Sequence, residues 1–449
     1  MFPCALNPHA RETLSDQLYG ALLAAMASGA LPTGARLPSR RALSRDLSVS
    51  PSTVEAAYAR LIEEGRCEAR PRSGIYVLPG AAGRAGKPEG PPPVRYDFGT
   101  GSVDAERFPF STWARLMREV LSERSPSLLA AGDPRGGDGL RRALSALLRE
   151  SRGIEADPET LIVGAGTDML LCDLLARLGR ELLFAVEDPG YPRVRRALSA
   201  GGARIIPLPL SGGAMDLRAL YASGAGAVYV TPSHQFPTGR EMDAAERAAL
   251  LSWSRETGGV ILEDDYDSEF RFSGEALPAM RSQDARVVYL NTFSRTLAPG
   301  LRVGYMALPP ALVPRYLEMR HACSVPAFLQ ETLAKFISGG HLTRHVARMR
   351  TAYGSRLSAL REGAAACALG TLHPCPAGLF ALLTAAGPLA PEQLVPRARA
   401  FGVRLARVAD FRVMEAPGGD RTVLLGFAGM DETDILAGLR ALAAAWETA

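Results

Sequence analysis

The chain opens with apolar residues at helical spacing. Leu14, Leu18, Leu22 and Met26 recur every four residues, and Gly29 follows them as a stop signal. Residues four apart lie on one face of a helix, so this pattern predicts a helix with one apolar face that ends before Gly29.

Two more helices are predicted next, with a very short connection between them. Ser39 can cap a helix over "RRALSRDL", and Ser50 can cap a second helix over "STVEAAYARLIEEG". In that second helix Pro51 occupies the first turn and Gly65 marks the end. Only "SVS" separates the two helices, which is typical of a helix-turn-helix. The strings "CEAR" and "GIYV" then flank "PRSG" and predict a β-wing.

Beyond residue 160 the pattern changes to apolar runs of strand length that alternate with helical stretches. The runs are apolar at successive positions, as in strands buried between two helix layers. They predict an α/β domain with a mainly parallel sheet, and polar residues gather just after the strands, where ligands bind in open α/β sheets. The runs are "TLIVGAG", "LLFAVEDPG", "AVYVTPS", "GVILEDDYD", "RVVYLNTFS" and "RVGYMALP".

Residues 79–93, "PGAAGRAGKPEGPPP", lie between these two parts and have no periodic apolar face. Their composition predicts a linker that three prolines stiffen at its end, although a bound loop has the same composition. We therefore place the first domain at 1–78, a linker at 79–95 and the second domain at 96–449.

Composition adds few constraints. The chain has 449 residues, enough for two or three domains, with 47% hydrophobic and 22% charged residues, as in a globular protein with a full core. The net charge of +4 is too small to indicate nucleic-acid binding by itself. Of the 51 basic residues, only Lys87 and Lys335 are lysines.

The opening residues lack a basic segment followed by an apolar one, so we expect no signal peptide. No run of 18 apolar residues occurs, so we expect no membrane span. The six cysteines are scattered without a CxxC pair, which favours reduced thiols over disulfides or a zinc site. We expect a cytoplasmic protein without a structural metal.

The predicted helix-turn-helix carries residues suited to DNA. Small hydroxyl residues at the start of its second helix can face bases and phosphates, and arginines on the preceding helix and the wing can neutralise phosphates. A three-helix module that contacts only protein would show the same helix pattern. The candidate DNA-binding residues are Arg40, Arg41, Arg45, Ser50, Ser52, Thr53, Arg70, Arg72 and Gly74.

The strand ends of the second domain carry a second set of candidates. Gly166 and Thr167 start a helix and can cradle a phosphate, although a plain tight turn looks alike. "EDPGYPRV" and the loop "TPSHQFPTGREM" add polar groups, and "ILEDDYDSEF" ends a buried strand in carboxylates that need a cationic or hydrogen-bonding partner. The residues singled out in these strings are Tyr191, Arg193, His234, Gln235 and Thr238, and "NTFSRTLAPGLRVGYM" adds Ser294 and Arg302.

Two resemblances follow from these strings. "GALPTGARLPSRRALSRDLSVSPSTVEAAYARLIEEG" resembles the GntR-type winged helix, although Pro51 and Glu55 replace basic residues that many relatives carry. "VTPSHQFPTG", "EDDYDSEF" and "FSRTLAPGLRVGY" resemble fold-type-I aminotransferases. The joined architecture resembles the MocR/GabR subfamily of GntR regulators over nearly the whole chain.

The resemblance implies pyridoxal 5'-phosphate as cofactor. Asp264 would pair with its protonated ring nitrogen, Tyr266 would bond its phenolic oxygen, and Tyr191 would stack on its ring. Arg193 would contact the carboxylate of an amino compound. The phosphate would be held by Gly166, Thr167, Ser294 and Arg302. A smaller α/β lobe would span about 316–449.

Arg295 departs from this pattern, because it stands where the family has the Schiff-base lysine. A guanidinium stays protonated, so it cannot capture an aldehyde and is a poor general base. Lys87 lies in the linker and Lys335 in a distant helical stretch, so neither replaces the missing lysine. We therefore predict no catalytic residue and, if the cofactor binds, non-covalent binding.

A second departure lies in "RTVLLGFAG". Aminotransferases of this type place an arginine for the substrate α-carboxylate on that strand, and the matching residue here is Leu424. Arg421 lies three residues earlier and is a further candidate ligand contact.

Three hypotheses remain. The first, which we favour, is a DNA-binding transcription regulator whose second domain senses pyridoxal phosphate, its amine adduct or another small anion. The second is a working aminotransferase that also binds DNA, and the third is a DNA-binding dimer with a scaffold domain. The resemblance also implies a homodimer on a DNA operator with two half-sites, together with a small-molecule effector.

Overall fold

A computed structural model gives the fold of the chain. It describes residues 6, 13–70, 73–78, 93–123, 125–179, 182–211, 213–318, 322–414 and 419–447. Two compact units result, Met1–Pro91 and Pro92–Ala449. The predicted DNA contact Arg72 and most of the predicted linker lie outside the described residues.

The first unit is a winged helix. Its elements match the predicted ones, because local caps define them: the Ser39 hydroxyl accepts from the amide of Ala42, and that of Ser50 from the amide of Thr53, both at 3.2 Å. Leu18 of α1 is fully buried in a core that also contains residues of the other two helices and of both strands. The elements are helices α1 (Leu14–Ala27), α2 (Arg40–Leu47) and α3 (Pro51–Glu63) and the antiparallel strands β1 (Cys67–Arg70) and β2 (Gly74–Val77).

The second unit is an α/β structure with two lobes. Its strands are β3 (Tyr96–Asp97), β4 (Leu161–Gly164), β5 (Leu183–Asp188), β6 (Arg204–Ser211), β7 (Ala214–Met215), β8 (Ala227–Val230), β9 (Val260–Asp264), β10 (Val288–Thr292), β11 (Gly304–Ala307), β12 (Gly370–Leu372), β13 (Phe380–Ala385), β14 (Val403–Arg404), β15 (Ala406–Arg407) and β16 (Thr422–Gly426). Its helices are α4 (Phe110–Ser122), α5 (Asp138–Arg152), α6 (Thr167–Leu178), α7 (Pro192–Ala200), α8 (Leu217–Ser223), α9 (Ala244–Thr257), α10 (Met280–Gln283), α11 (Phe293–Thr296), α12 (Val313–Leu317), α13 (Ala327–Ser338), α14 (His341–Ala366), α15 (Leu394–Ala400) and α16 (Glu432–Glu447).

The larger lobe is built on one sheet. Among the described residues its strand order is β4-β11-β10-β9-β8-β5-β6-β7. The five consecutive strands from β10 to β6 are parallel, whereas β4, β11 and β7 run antiparallel to their neighbours. The predicted mainly parallel sheet is therefore confirmed.

Both faces of this sheet are buried, which explains the unbroken apolar runs in the sequence. Side chains of one strand alternate between faces. In β8, Ala227 and Tyr229 pack into the core on the α6–α7 side, whereas Val228 and Val230 pack into the core that includes α8 and α9. Helices thus cover both faces, as the sequence predicts.

The smaller lobe has its own sheet, with strand order β12-β13-β16-β15 in the described part of the chain. Its core combines Phe98, Leu360 and Leu439, among others, and β3 pairs with β14. The expected lobe boundary near residue 316 needs two corrections. Ala327–Ser338 packs with α4 and α5 in the larger lobe, because its Leu333 and Phe336 side chains complete that core. The segment at 96–98 belongs instead to the smaller lobe.

In the described parts of the chain, every helix is too short or too polar to cross a membrane.

Candidate functional site

A cavity of about 160 Å³ opens at the carboxyl ends of the parallel strands, where the sequence predicts a ligand site. The loops after β4, β5, β8, β9 and β10 all contribute to it, and so does the segment after β3. Its lining consists of Gly101, Gly166, Thr167, Asp168, Tyr191, Arg193, Tyr229, Thr231, Phe236, Tyr266, Thr292, Ser294, Arg295, Pro299 and Arg302.

One end of the cavity is a natural anion cradle. Helix α6 begins at Thr167, directly after Gly166, whose φ of +95° suits glycine. A Cβ at Gly166 would lie 2.6 Å from Nη2 of Arg302, so the glycine lets the guanidinium reach the helix start. Free amides and the helix dipole favour an anion there. Ser294 lies at the same cavity, where its hydroxyl accepts from Thr292 Oγ1 at 2.9 Å.

Asp264, at the end of β9, has one carboxylate oxygen engaged and one unpartnered. The Tyr229 hydroxyl donates to Oδ2, while Oδ1 is buried without a hydrogen-bond partner among the described residues. Burial raises the pKa of Asp264 to about 7; the Tyr229 hydrogen bond opposes the shift, and the charges of Asp265 and Asp267 add to it. A buried acceptor in this state favours a cationic or proton-donating partner.

Tyr266 is held by the loop after β8. Its hydroxyl donates to the backbone oxygen of His234 at 2.9 Å, and the His234 Nδ1 lies 2.9 Å from Oδ2 of Asp267. Burial raises the Tyr266 pKa well above its usual value, so this side chain stays a neutral hydroxyl. Tyr266 is therefore a rigid hydrogen-bonding group on the cavity wall.

Gln235 and Thr238, singled out from the sequence, hold the loop rather than line the cavity. The Gln235 amide donates to the backbone oxygens of Pro189 and Phe236, and both the amide and hydroxyl of Thr238 donate to its oxygen. Buried polar groups need such partners. The loop is thus locked in one shape beside the cavity.

Tyr191 and Arg193 lie on the α7 side of the cavity. The Tyr191 ring packs edge-on against Phe236, with centroids 5.3 Å apart, and burial raises the Tyr191 pKa. Arg193 is exposed at the cavity rim. The structure therefore brings both predicted residues to the site.

Arg295 projects into the same cavity from α11. Its Nη1 donates to the backbone oxygen of Thr100 at 2.5 Å, and its Cζ lies 6.0 Å from the centroid of the Tyr266 ring. Thr100 follows β3 of the smaller lobe, so Arg295 links the two lobes at the cavity. Lys335 on α13, the one lysine among the described residues, pairs instead with Glu123 at 2.7 Å.

Arg421 does not reach the cavity, contrary to the sequence-based candidate role. Its guanidinium donates to the backbone oxygens of Ala385, Ala386 and Leu389. These hydrogen bonds hold the turn that follows β13. Leu424 is fully buried with Phe236 and Phe380 in an apolar cluster. Strand β16 and Arg421, which directly precedes it, thus present no cation to the site.

Several lining residues escaped the sequence analysis, notably Tyr229, Thr231 and Gly101. Tyr229 lies inside the apolar strand β8, where the sequence pattern does not distinguish a tyrosine that lines a site from one that packs in the core. Gly101 comes from the other lobe and reaches the site only through tertiary structure.

In the first unit, the candidate DNA contacts form an exposed group at α2 and the start of α3. Arg40, Arg41, Arg45, Ser50 and Ser52 are exposed. The wing adds two further candidates. Arg70 stacks on the Tyr76 ring at 4.7 Å, and Gly74 has a φ of +130°, with Arg36 against it, so a side chain there would be strained. Thr53 is half-buried beneath the Ser50 cap.

Comparison with known proteins identifies both units. Residues 14–77 match the model of bacterial regulatory proteins of the gntR family, and residues 96–423 match aminotransferase class I and II. The chain is 35% identical to the uncharacterized HTH-type transcriptional regulator YdeL of Bacillus subtilis, covering 98% of this chain and 99% of YdeL. It is 33% identical to the probable rhizopine catabolism regulatory protein MocR of Rhizobium meliloti, covering 98% and 95%.

The chain belongs to the MocR/GabR family of GntR-type regulators. It is a transcriptional regulator that carries an aminotransferase-like domain. The fold agrees: a multiple substrate aminotransferase from Thermococcus profundus superposes with a TM-score of 0.70 at 26% identity, over 82% of this chain and 96% of that one. Members of this aminotransferase fold depend on pyridoxal phosphate, and GntR-type domains bind DNA.

Proposed function

We propose that this MocR/GabR-type regulator binds pyridoxal phosphate, or an amine adduct of it, without a covalent bond and without turnover. Occupancy of the cavity would then control DNA binding. The observation that carries the proposal is a cavity with an anion cradle and the buried Oδ1 of Asp264, which has no hydrogen-bond partner in the described part of the chain, while Arg295 occupies the lysine position.

The residues of the cavity fit such a group on physical grounds. The start of α6, with Arg302 and Ser294, would hold the phosphate, because amides, a hydroxyl and a guanidinium converge there. Asp264 would receive a protonated ring nitrogen, which would satisfy its free oxygen. The Tyr266 hydroxyl would turn its hydrogen from the backbone oxygen of His234 to the phenolic oxygen of the cofactor, and Tyr191 would cover the ring.

When bound, the cofactor supplies an electron sink for carbanion chemistry. This chain lacks the residue that would use it. Catalysis would need a neutral amine that moves a proton at the reacting carbon, and the Arg295 guanidinium stays protonated. The side chain instead hydrogen-bonds Thr100 and adds a fixed positive charge.

In the DNA-binding unit, we propose that the hydroxyls of Ser50 and Ser52 face the bases and phosphates at the start of α3. Arg40, Arg41 and Arg45 would contact phosphates from α2. A homodimer would place two such units on two half-sites, which size-exclusion chromatography with light scattering tests directly.

The test of the sensing proposal is a titration of the purified full-length protein with pyridoxal phosphate. Absorbance follows binding, and borohydride treatment with intact-mass measurement detects covalent attachment. We expect saturable binding and no added mass. The R295K variant should gain a borohydride-stable adduct, because lysine supplies the missing amine.

A matched variant assigns that adduct. R295K combined with K87R and K335R removes both natural lysines, so a lysine adduct that persists belongs to position 295. An adduct on the natural chain would contradict the proposal in favour of an aminotransferase. The absence of any saturable binding would favour a scaffold domain.

A further inference from the structure

Positive charge in the cavity exceeds its available partners. Arg193, Arg295 and Arg302 all line it. Arg302 has Asp168 at 3.9 Å, whereas neither of the other two has a carboxylate within 4 Å among the described residues. Asp264 does not compensate, because Tyr229 covers one oxygen and its pKa is raised to about 7. An unpaired guanidinium at a partly enclosed site favours an anionic ligand.

Arg295 and Arg302 lie at different places in the cavity. Arg302 lies against the start of α6, where its Nη2 donates to the backbone oxygen of Ala165 at 3.1 Å. Arg295 lies at the lobe junction, held by Thr100 and near the Tyr266 ring. The two guanidinium groups therefore offer two separate anion positions.

The charge of Arg295 acts on the middle of the site. It opposes the effect of burial on the pKa of both Tyr191 and Tyr266. One of its terminal nitrogens is used by Thr100, which orients the planar group and leaves the opposite edge for a ligand.

The smaller lobe offers no alternative cation on the strand that faces this part of the cavity. Leu424 is buried in an apolar cluster with Val408 and Phe380, and Arg421 is turned onto backbone oxygens. A carboxylate that entered the site would therefore meet a guanidinium from the larger lobe.

We propose that Arg295 determines effector specificity by binding a carboxylate, so that the effector is a phosphopyridoxyl compound of an amino acid. Its phosphate would lie at the start of α6 and its carboxylate at Arg295. This inference rests on the proposed function, because it assumes the phosphate end of the site. The replacement at 295 then exchanges a covalent attachment point for a recognition group.

The test is a cycle of two probes and two proteins, measured by isothermal titration calorimetry. N-(5'-phosphopyridoxyl)glycine carries the carboxylate, and N-(5'-phosphopyridoxyl)methylamine is its match without it. Both are stable secondary amines, so no covalent chemistry confuses the result. We expect the natural chain to prefer the glycine probe by roughly 10- to 100-fold, as a charge-assisted hydrogen bond provides.

The R295Q variant should lose this preference and still bind the methylamine probe within a few-fold of the natural chain. R295K should keep part of the preference, because lysine retains the charge without the planar fork. R196Q removes an exposed arginine of α7 that does not line the cavity, so it controls for general charge. It should leave the preference unchanged.

A preference for the glycine probe that survives in R295Q would overturn this inference alone. Loss of the preference in R193Q but not in R295Q would also overturn it, since the carboxylate would then belong to Arg193. Failure of both probes to bind the natural chain would overturn this inference together with the proposed function. Circular dichroism of each variant separates these outcomes from misfolding.

Discussion

Charges are paired differently on the surface of the winged helix and in the cavity of the aminotransferase-like unit. On the winged helix, arginines pair with carboxylates at the surface: Arg40 with Glu55 at 2.7 Å, Arg60 with Asp16 at 3.1 Å. In the aminotransferase-like unit, the cavity holds Arg295 and an oxygen of Asp264 without charged partners among the described residues.

This difference is the one that the proposed ligands of the two units would require. Exposed pairs are worth about 0–1 kcal/mol, so a DNA phosphate can displace the carboxylate at little cost. Polar and charged groups in a cavity have lost hydrating water, so a matching partner stabilises them by more free energy than it would at the surface. Under the proposed function, arginines of the winged helix would exchange a carboxylate for a phosphate, whereas groups in the cavity would gain a new partner.

The largest effect is expected at Asp264. D264N should weaken binding of pyridoxamine phosphate by about 100-fold, because the ionised oxygen that would pair with the ring nitrogen is lost. Calorimetry measures this. D168N is the matched control: it removes a half-exposed carboxylate beside Arg302, so phosphate binding should strengthen slightly. Equal effects of both variants would contradict the assigned role of Asp264.

The same variant should stabilise the ligand-free protein in a pH-dependent way. The folded pKa of Asp264, about 7, lies above its unfolded value near 3.8, so its contribution to stability is present at low pH and is lost as pH rises to 7. D264N should therefore gain about 2 kcal/mol more in unfolding free energy at pH 8 than at pH 5. Urea unfolding at the two pH values checks it, and a gain independent of pH would exclude this explanation.

On the winged helix, R41Q should weaken operator binding about tenfold and reduce the magnitude of the salt slope by about 1, because each phosphate contact releases about one counterion. Fluorescence anisotropy over a salt series measures both. Arg118 on α4 is exposed in the other unit, so R118Q serves as the control. An unchanged salt slope would remove Arg41 from the interface.

The smallest effect is expected at Glu55. E55Q frees Arg40 from its surface partner and removes a negative charge from the recognition helix, so DNA affinity should rise about two- to threefold. Thermal stability should change little. E63Q removes one negative charge from the end of the same helix and serves as the control. A large loss of stability in E55Q would show that the pair is structural and not exchangeable.

Local elements were predictable because their signals lie within a few residues. The caps at Ser39 and Ser50 and the strings "CEAR" and "GIYV" define the winged helix directly in sequence. The apolar runs likewise predicted the parallel strands. Cavity-lining residues such as Gly166 and Ser294 could be predicted from the sequence because they follow such strands closely.

The lobe boundary and the fate of Arg421 were not predictable. Ala327–Ser338 reads as one more helix, and only its packing on α4 and α5 assigns it to the larger lobe. The Arg421 side chain could reach several partners, and the turn after β13 decides which ones. The order of apolar residues in the sequence predicts which face of an element is buried, but not which distant element packs against that face.

The sequence alone is enough to predict the two-part architecture, the strand-end location of the site and the absence of a lysine at 295, because each depends on local spacing or on the chemistry of one residue. Three features depend on the folded chain: Thr100 orients Arg295, Tyr229 covers one oxygen of Asp264, and the other oxygen has no hydrogen-bond partner among the described residues. The contact of Tyr229 with Asp264 spans 35 residues and forms when β8 and β9 pair in the larger lobe. The contact of Arg295 with Thr100 spans 195 residues and forms only when the two lobes meet.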